Sequence, residues 1–142
     1  MKEEVLAFRR RVLPTDHPDI AMTMNNLASS YRDVGRHAEA REMKEEVLAF
    51  QRRVLPADHP DIATAMNNLA ISYGDVGRHA EAVEMGEEVL AFRRRVLPAD
   101  HPHIATAMNN LAVSYRDVGR HAEAVEMKEE VLAFRRRSQS KQ

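Results

Sequence analysis

Side chains able to recognise a peptide recur as pairs of asparagine, spaced 42 residues apart at Asn25-Asn26, Asn67-Asn68 and Asn109-Asn110. Each amide both donates and accepts hydrogen bonds, so a row of amides can satisfy the backbone of an extended peptide. The alternative is that one asparagine of each pair bonds within its own part of the fold. The spacing therefore predicts either a binding surface or an internal hydrogen-bond network.

The other polar residues do not form a recognisable reactive site. His101 and His103 are the only local histidine pair, and a metal site needs several convergent ligands with supporting hydrogen bonds. Glu87 and Glu88 fall on the polar face of a helix, whereas a catalytic carboxylate pair needs burial. The chain has no cysteine, no nucleophile motif and no phosphate-binding glycine loop. We predict no metal, no cofactor and no enzymatic activity.

These residues belong to a unit that is repeated almost unchanged. Residues 17–58 and 59–100 differ at seven of 42 positions. Residues 101–137 repeat the same sequence with few changes, and residues 1–16 match the end of one more unit. A fixed period of about 20 to 50 residues is typical of stacked repeats. We predict a single array over residues 1–137, followed by a disordered tail at residues 138–142.

Each unit contains a first helix, called helix A. In residues 59–100 it begins at the sequence HPDIA, because proline is well tolerated in the first helical turn. Ile62, Met66, Leu69 and Tyr73 then recur at helical spacing and form one buried stripe. Helix A is expected to end at Gly77, since glycine readily adopts the left-handed conformation of a C-terminal cap.

The second helix, called helix B, is predicted from about His79 to Leu97. Its apolar residues cover about half of its circumference, so it must contact its own helix A and also the helix A of the next unit. Pro98 ends it. No segment has the alternating pattern of a strand, so the predicted fold class is all-α.

The run NNLAxSYxDVGRHAEAxEMxEEVLAF resembles the tetratricopeptide repeat, and the 42-residue period with its HPDIA opening resembles the kinesin light chain type, as found in repeat arrays of fungal and bacterial nucleotide-binding receptor proteins. The residues that carry the resemblance are Leu69, Ala70, Tyr73, Gly77, Glu81 and Ala82. It implies an α-solenoid of antiparallel helix hairpins, with about seven helices forming a right-handed superhelix. The A helices of such an array line its concave surface.

The resemblance also implies a protein-protein interaction scaffold that binds a peptide or protein segment on this concave face. Helical geometry independently places Asn67, Ile71 and Asp75 opposite the buried stripe. Three of the seven differences between units, at residues 22/64, 29/71 and 32/74, lie on or beside this face. The predicted ligand-binding residues are Asn25, Asn26, Ser29, Arg32, Asn67, Asn68, Ile71, Asp75, Asn109, Asn110, Val113 and Arg116.

The two ends of the array suggest an alternative function. The first helix, with Val5, Phe8 and Val12, lacks its own helix A. The last helix lacks a following helix A, and its apolar residues are Val125, Val131, Leu132 and Phe134. We expect these residues to be exposed apolar surface. Two explanations fit such ends. Either the sequence is an excerpt from a longer array, or the chain is a structural array in which copies associate by end-to-end stacking or by exchange of helices.

The composition limits the classes of partner. With 21 basic and 22 acidic residues, the chain has a net charge of -1 and no global field that would attract nucleic acid or an anionic membrane. The start MKEEVLAFRR has no long apolar run, so it is not a signal peptide or a membrane span. We predict a cytoplasmic protein whose partners are neither nucleic acid nor membrane.

Two glycines distinguish the middle unit. Gly74 and Gly86 stand where the first unit has Arg32 and Lys44, and both fall inside predicted helices. A glycine in a helix interior costs about 1 kcal/mol relative to alanine. We therefore predict that residues 59–100 form the least stable unit.

Overall fold

The computed structural model describes residues 3–7 and 18–140. Residues 3–7 are helical, and six further helices follow them in the chain. Within the described ranges there is no strand, and the predicted all-α fold is confirmed. The six helices are α1 (Pro18–Asp33), α2 (His37–Val54), α3 (Pro60–Asp75), α4 (His79–Val96), α5 (Pro102–Asp117) and α6 (His121–Ser140).

The helices form three hairpins that stack along one direction. Unit one consists of α1 and α2, unit two of α3 and α4, and unit three of α5 and α6, and the two helices of each unit pack against each other. Helix α2 also packs against α3, and α4 against α5. We call the contact between units one and two the first junction, and the contact between units two and three the second junction.

The starts of α3 and α5 are fixed by a histidine followed by proline. His59 Nδ1 accepts a hydrogen bond from the backbone N–H of Asp61 at 3.0 Å, and His101 Nδ1 accepts one from the N–H of His103 at 3.0 Å. Proline at the first position leaves no N–H group unsatisfied there. These two histidines are helix caps.

A glycine and an arginine fix the turn inside each hairpin. Gly77 has a φ of +80°, and the backbone N–H of Arg78 donates to the carbonyl oxygen of Tyr73 at 2.8 Å, which closes the end of α3. The guanidinium of Arg78 lies 4.7 Å from the centre of the Tyr73 ring and pairs with Glu81. The turns of units one and three repeat this geometry. Each hairpin is thus closed by the same local contacts.

Helix B is buried on two faces. In α2, Val47 packs into a cluster with Ile20 and Met24 of its own unit. The adjacent Leu48 belongs to a different cluster, which contains Ile62 and Met66 of the next unit. The prediction that helix B contacts two neighbours is confirmed by this division.

The end of α6 corrects one prediction. The helix continues to Ser140, so residues 138–140 are helical rather than a disordered tail. In the first two units, Pro56 and Pro98 follow helix B, but Ser140 occupies the corresponding position in unit three. Serine does not block the helical hydrogen bonds as proline does. Residues 141–142 lie outside the described residues.

Val131 and Phe134 are buried, which corrects the prediction that they form exposed apolar surface. Their exposed fractions are 4% and 6%. Val47, the counterpart of Val131 in unit one, packs against its own helix A, and α5 supplies the same support in unit three. The exposed apolar residues of α6 must therefore lie on the face that does not pack against α5.

The prediction of exposed apolar surface is confirmed for the other two residues of α6, Val125 and Leu132. Val125 is 55% exposed and Leu132 is 50% exposed. Their counterparts in unit two, Val83 and Leu90, are 4% and 5% exposed, because α4 packs there against α5. In the helical residues 3–7 the opposite face is the exposed one. Val5, the counterpart of Val131, is 45% exposed, whereas Leu6, the counterpart of Leu132, is buried. The predicted residues Phe8 and Val12 lie outside the described residues.

Candidate functional site

A pocket opens between the A helices of units two and three. Its volume is about 260 Å³. Helix α3 contributes one wall, α5 the opposite wall and α4 the floor. The residues that line the pocket include Asn67, Ile71, Gly74, Asp75, Gly86, Val89, Asn110, Val113, Ser114 and Asp117.

The pocket exists because two side chains are missing from it. Gly74 and Gly86 both line it, and a Cβ atom added at Gly74 would meet no atom within 4 Å. A Cβ atom at Gly86 would lie 3.1 Å from Leu111 Cδ1. The counterparts of these glycines in the first junction are Arg32 and Lys44. The same place is therefore filled in one junction and open in the other.

In the first junction, Arg32 and Lys44 both reach this place. Arg32 Nε donates a hydrogen bond to Asp75 Oδ2 at 2.8 Å, which joins α1 to α3. Lys44 is buried, and burial lowers the pKa of its ammonium, as does the nearby charge of Arg32, while Asp75 acts in the opposite direction. The two cations share one acidic neighbour.

In the second junction, Asp117 takes the position that Asp75 has in the first. Arg116 Nη2 lies 3.7 Å from Asp117 Oδ1, and His79 Nδ1 lies 4.0 Å from Asp117 Oδ2. No counterpart of Arg32 reaches Asp117, because residue 74 is glycine. Ser114 lines the pocket, whereas its counterpart Ser72 is only 1% exposed. The glycines thus open both a carboxylate and a hydroxyl group to the pocket.

The amides at the other end of the pocket are paired. Asn110 Nδ2 donates to Asn67 Oδ1 at 3.1 Å across the second junction. This bond still leaves the Nδ2 group of Asn67 and the Oδ1 atom of Asn110 with hydrogen-bonding capacity. Both side chains are half-buried. The pair joins α3 to α5 and faces the pocket at the same time.

The structure brings five of the twelve predicted ligand-binding residues together at this pocket: Asn67, Ile71, Asp75, Asn110 and Val113. Asn68 and Asn109 are half-buried beside it but do not line it, and Arg116 is exposed next to Asp117. In unit one, Arg32 is engaged with Asp75. The remaining unit-one residues, half-buried Asn25 and exposed Asn26 and Ser29, lie outside the pocket.

Sequence reasoning missed Gly86, Val89 and Ser114 as pocket residues, whereas Asp117 is the unit-three counterpart of the predicted Asp75. Gly86 was expected only to weaken its helix. One signal was available: Gly74 and Gly86 each replace a long cation of unit one. That signal becomes informative only when helices A and B are known to bring the two positions to one place.

Metal binding has no support within residues 3–7 and 18–140. This part of the chain contains no group of three or more histidine, aspartate or glutamate residues arranged to hold an ion. The rings of His101 and His103 lie 4.6 Å apart, but His101 Nδ1 is occupied as a helix cap. Among the described helices, none combines the length and the apolar character needed to cross a membrane.

The fold and the pocket define an α-solenoid of helical hairpins with an open surface on its A helices. The chain matches the tetratricopeptide repeat family model over residues 1–53, 19–95 and 61–137. It therefore belongs to the tetratricopeptide repeat family. The comparison with curated protein sequences gave no match.

Solved structures identify the type of repeat. Two crystal structures of a Podosopora anserina putative kinesin light chain with nearly identical TPR-like repeats are 33% and 32% identical to the chain, each with a TM-score of 0.89. They cover 97% and 98% of the chain, which spans 65% and 66% of their lengths. BtubC (BKLC) from P. vanneervenii is 20% identical over 97% of the chain and 55% of its own length, with a TM-score of 0.86, so it supports the fold alone. The resemblance to kinesin light chain-like repeats is confirmed.

Proposed function

We propose that the chain is a scaffold that binds a peptide or protein segment on the concave surface of its A helices, at the second junction. Tetratricopeptide repeat proteins mediate protein-protein interaction as a family. The observation that carries the proposal is the pocket of about 260 Å³ at Asn67, Ile71, Asp75, Asn110 and Val113, five residues that the sequence predicts as ligand contacts. The function is binding rather than catalysis.

The chemistry of the pocket suits a peptide. Ile71 and Val113 provide apolar contacts for a side chain, while the amides of Asn67 and Asn110 can bond the peptide backbone. The pocket is preformed, so little conformational entropy is lost when a ligand orders against it.

Selection from a phage-displayed library of random ten-residue peptides tests this proposal. We expect clones that bind the wild-type chain and are lost on the Asn67→Ala/Asn110→Ala variant. The matched control is Asn68→Ala/Asn109→Ala, which changes the neighbouring asparagines outside the pocket and should retain the clones. Clones that bind both variants equally, or no enrichment over a bare surface, would contradict a binding site at the second junction.

Exposed Val125 and Leu132 favour a second candidate function, self-association of the array. These side chains occupy positions that a following helix covers in unit two. Two copies that meet at this face would bury it, either by stacking or by exchanging helices. We expect sedimentation equilibrium to show a mass that rises with concentration and that Leu132→Glu returns to the monomer. A monomeric wild-type chain over a hundredfold concentration range would exclude this candidate.

A further inference from the structure

The pocket of the second junction is the place that two cationic side chains occupy in the first. Arg32 and Lys44 are the counterparts of Gly74 and Gly86, and both glycines line the pocket. The backbone around the two places is equivalent, because helix bounds and turns repeat between units. The first junction therefore shows what kind of side chain this place accommodates.

The acidic partner of those cations is repeated, although the cations are not. Asp75 Oδ2 accepts a hydrogen bond from Arg32 Nε at 2.8 Å in the first junction. Asp117 repeats Asp75 at the second junction and lines the pocket. Arg116 Nη2 lies 3.7 Å and His79 Nδ1 lies 4.0 Å from its carboxylate oxygens. These distances are longer than a good N–H···O hydrogen bond. Asp117 thus has the acceptor role of Asp75 without the matching donor.

The walls of the pocket suit the rest of a long basic side chain. Ile71 of α3 and Val113 of α5 line the pocket, as does the buried Val89 of α4. An arginine side chain can lay its apolar stem along such surfaces while its planar head meets a carboxylate with two hydrogen bonds. A side chain that is apolar throughout would displace water from Asp117 without offering it a hydrogen-bond donor.

We propose that the peptide segment bound at the second junction carries an arginine, whose side chain enters the pocket between Gly74 and Gly86 and pairs with Asp117. The inference rests on the proposed function and specifies its ligand. The array thereby supplies the cation itself at one junction and takes it from the partner at the next.

Nuclear magnetic resonance titration with the peptide acetyl-Gly-Ser-Arg-Ser-Gly-amide tests the proposal. The control probe is the same peptide with neutral citrulline in place of arginine. We expect shifts at the Asn67 and Asn110 side-chain amides and at Ser114. Affinity for the arginine peptide should be about tenfold higher than for the citrulline peptide, as one charge-assisted contact implies.

Three variants distinguish the effect of the Asp117 charge on binding from the effect of the pocket volume. Asp117→Asn should reduce binding of the arginine peptide to the level of citrulline. Gly74→Arg/Gly86→Lys should fill the pocket and abolish binding of both peptides. Arg32→Gly/Lys44→Gly should open a second pocket and add a second set of shifts at Asn68 and Ser72. Because this variant gains binding rather than losing it, it tests the proposal even if the filled variant fails to fold.

Equal binding of the two probes would overturn the arginine proposal, and it would leave the proposed function standing if the filled variant lost both. Binding of neither probe would also overturn it, while the library selection would still decide whether the surface binds other peptides.

Discussion

The two junctions of this array differ in their side chains far more than in their backbone. In the first, Arg32 bonds Asp75 across the stack and Lys44 is buried beside them. In the second, glycines replace both cations and a pocket of about 260 Å³ remains. The comparison teaches that a solenoid can convert a structural contact into a candidate binding site by removing two side chains from an otherwise constant unit.

The two junctions also differ in what surrounds Glu45 of α2 and its counterpart Glu87 of α4. Arg41 pairs with Glu45 in unit one, whereas its counterpart in unit two is the buried Val83. Glu87, the counterpart of Glu45 in unit two, instead accepts a hydrogen bond from the hydroxyl of Tyr115 at 2.8 Å. Each junction thus satisfies the same glutamate position in a different way.

Opening the first junction should have the largest effect on stability. Arg32→Gly/Lys44→Gly places two glycines in helix interiors, at a cost of about 1 kcal/mol each, so we expect the free energy of unfolding to fall by about 2 kcal/mol in urea titration. The control is Arg32→Ala/Lys44→Ala, which removes the same contacts but keeps good helix formers and should cost less. An unchanged stability of the glycine variant would mean that these positions do not lie in a stable helix.

Replacing the glycines of the second junction by alanine should give a smaller effect of the opposite sign. Gly74→Ala should raise the free energy of unfolding by about 1 kcal/mol, because a Cβ atom there meets nothing and alanine favours the helix. Gly86→Ala should gain less, since its Cβ atom would lie 3.1 Å from Leu111 Cδ1 and that side chain must move. Urea titration compares them, and a larger gain at Gly86 would contradict the packing described for the second junction.

The hydrogen bond from Tyr115 to Glu87 should stabilise the second junction by about 1 kcal/mol. Tyr115→Phe removes the bond to Glu87, so it should lower the free energy of unfolding more than Tyr73→Phe does, by about 0.5–1.5 kcal/mol.

The pH dependence of this tyrosine has a definite sign. Burial and the bond to Glu87 raise the pKa of Tyr115 from 10.0 to about 12. The contribution of Tyr115 is therefore complete below pH 10.0 and is lost as the pH rises through about 12. Absorbance titration of the phenolate band in wild type and Tyr115→Phe measures this directly. A Tyr115 that ionises like a free tyrosine would contradict the contact.

The smallest effect concerns Lys44. Burial lowers the pKa of Lys44 below its ordinary value of 10.5, so the unfolded chain binds more protons than the folded one as the pH approaches 10.5. The stability of the wild type should therefore rise relative to Lys44→Met over this range. Urea titrations of both proteins at increasing pH give the difference, in which the ionisation of tyrosines cancels. A difference that stays constant would show that Lys44 is solvated.

The helices could be predicted from the sequence because their ends carry strong local signals. Proline after His59 starts α3, and Gly77 ends it with a positive φ. The buried stripe of Ile62, Met66 and Leu69 follows from the helical period alone. Local chemistry and packing agree in these elements, so each could be read from one stretch of residues.

The faces of helix B could not be predicted in the same way. Val131 and Leu132 are adjacent and both apolar, yet one is 4% exposed and the other 50%. Apolar residues over half of a circumference show that two neighbours exist, but they do not show which residue faces which neighbour. The pocket could not be predicted for the same reason. Gly74 and Gly86 lie on different helices, and they come together only when α3, α4 and α5 pack against one another.

The central claim is that the two glycines, rather than any other feature of unit two, create the binding site. We would exchange the four residues between the junctions, in the variant Arg32→Gly/Lys44→Gly/Gly74→Arg/Gly86→Lys, and titrate it with the arginine peptide while following assigned amide resonances. The account predicts that the shifts leave Asn110 and Ser114 and appear at their counterparts Asn68 and Ser72. Shifts that remain at Asn110 and Ser114 in the exchanged protein would contradict it.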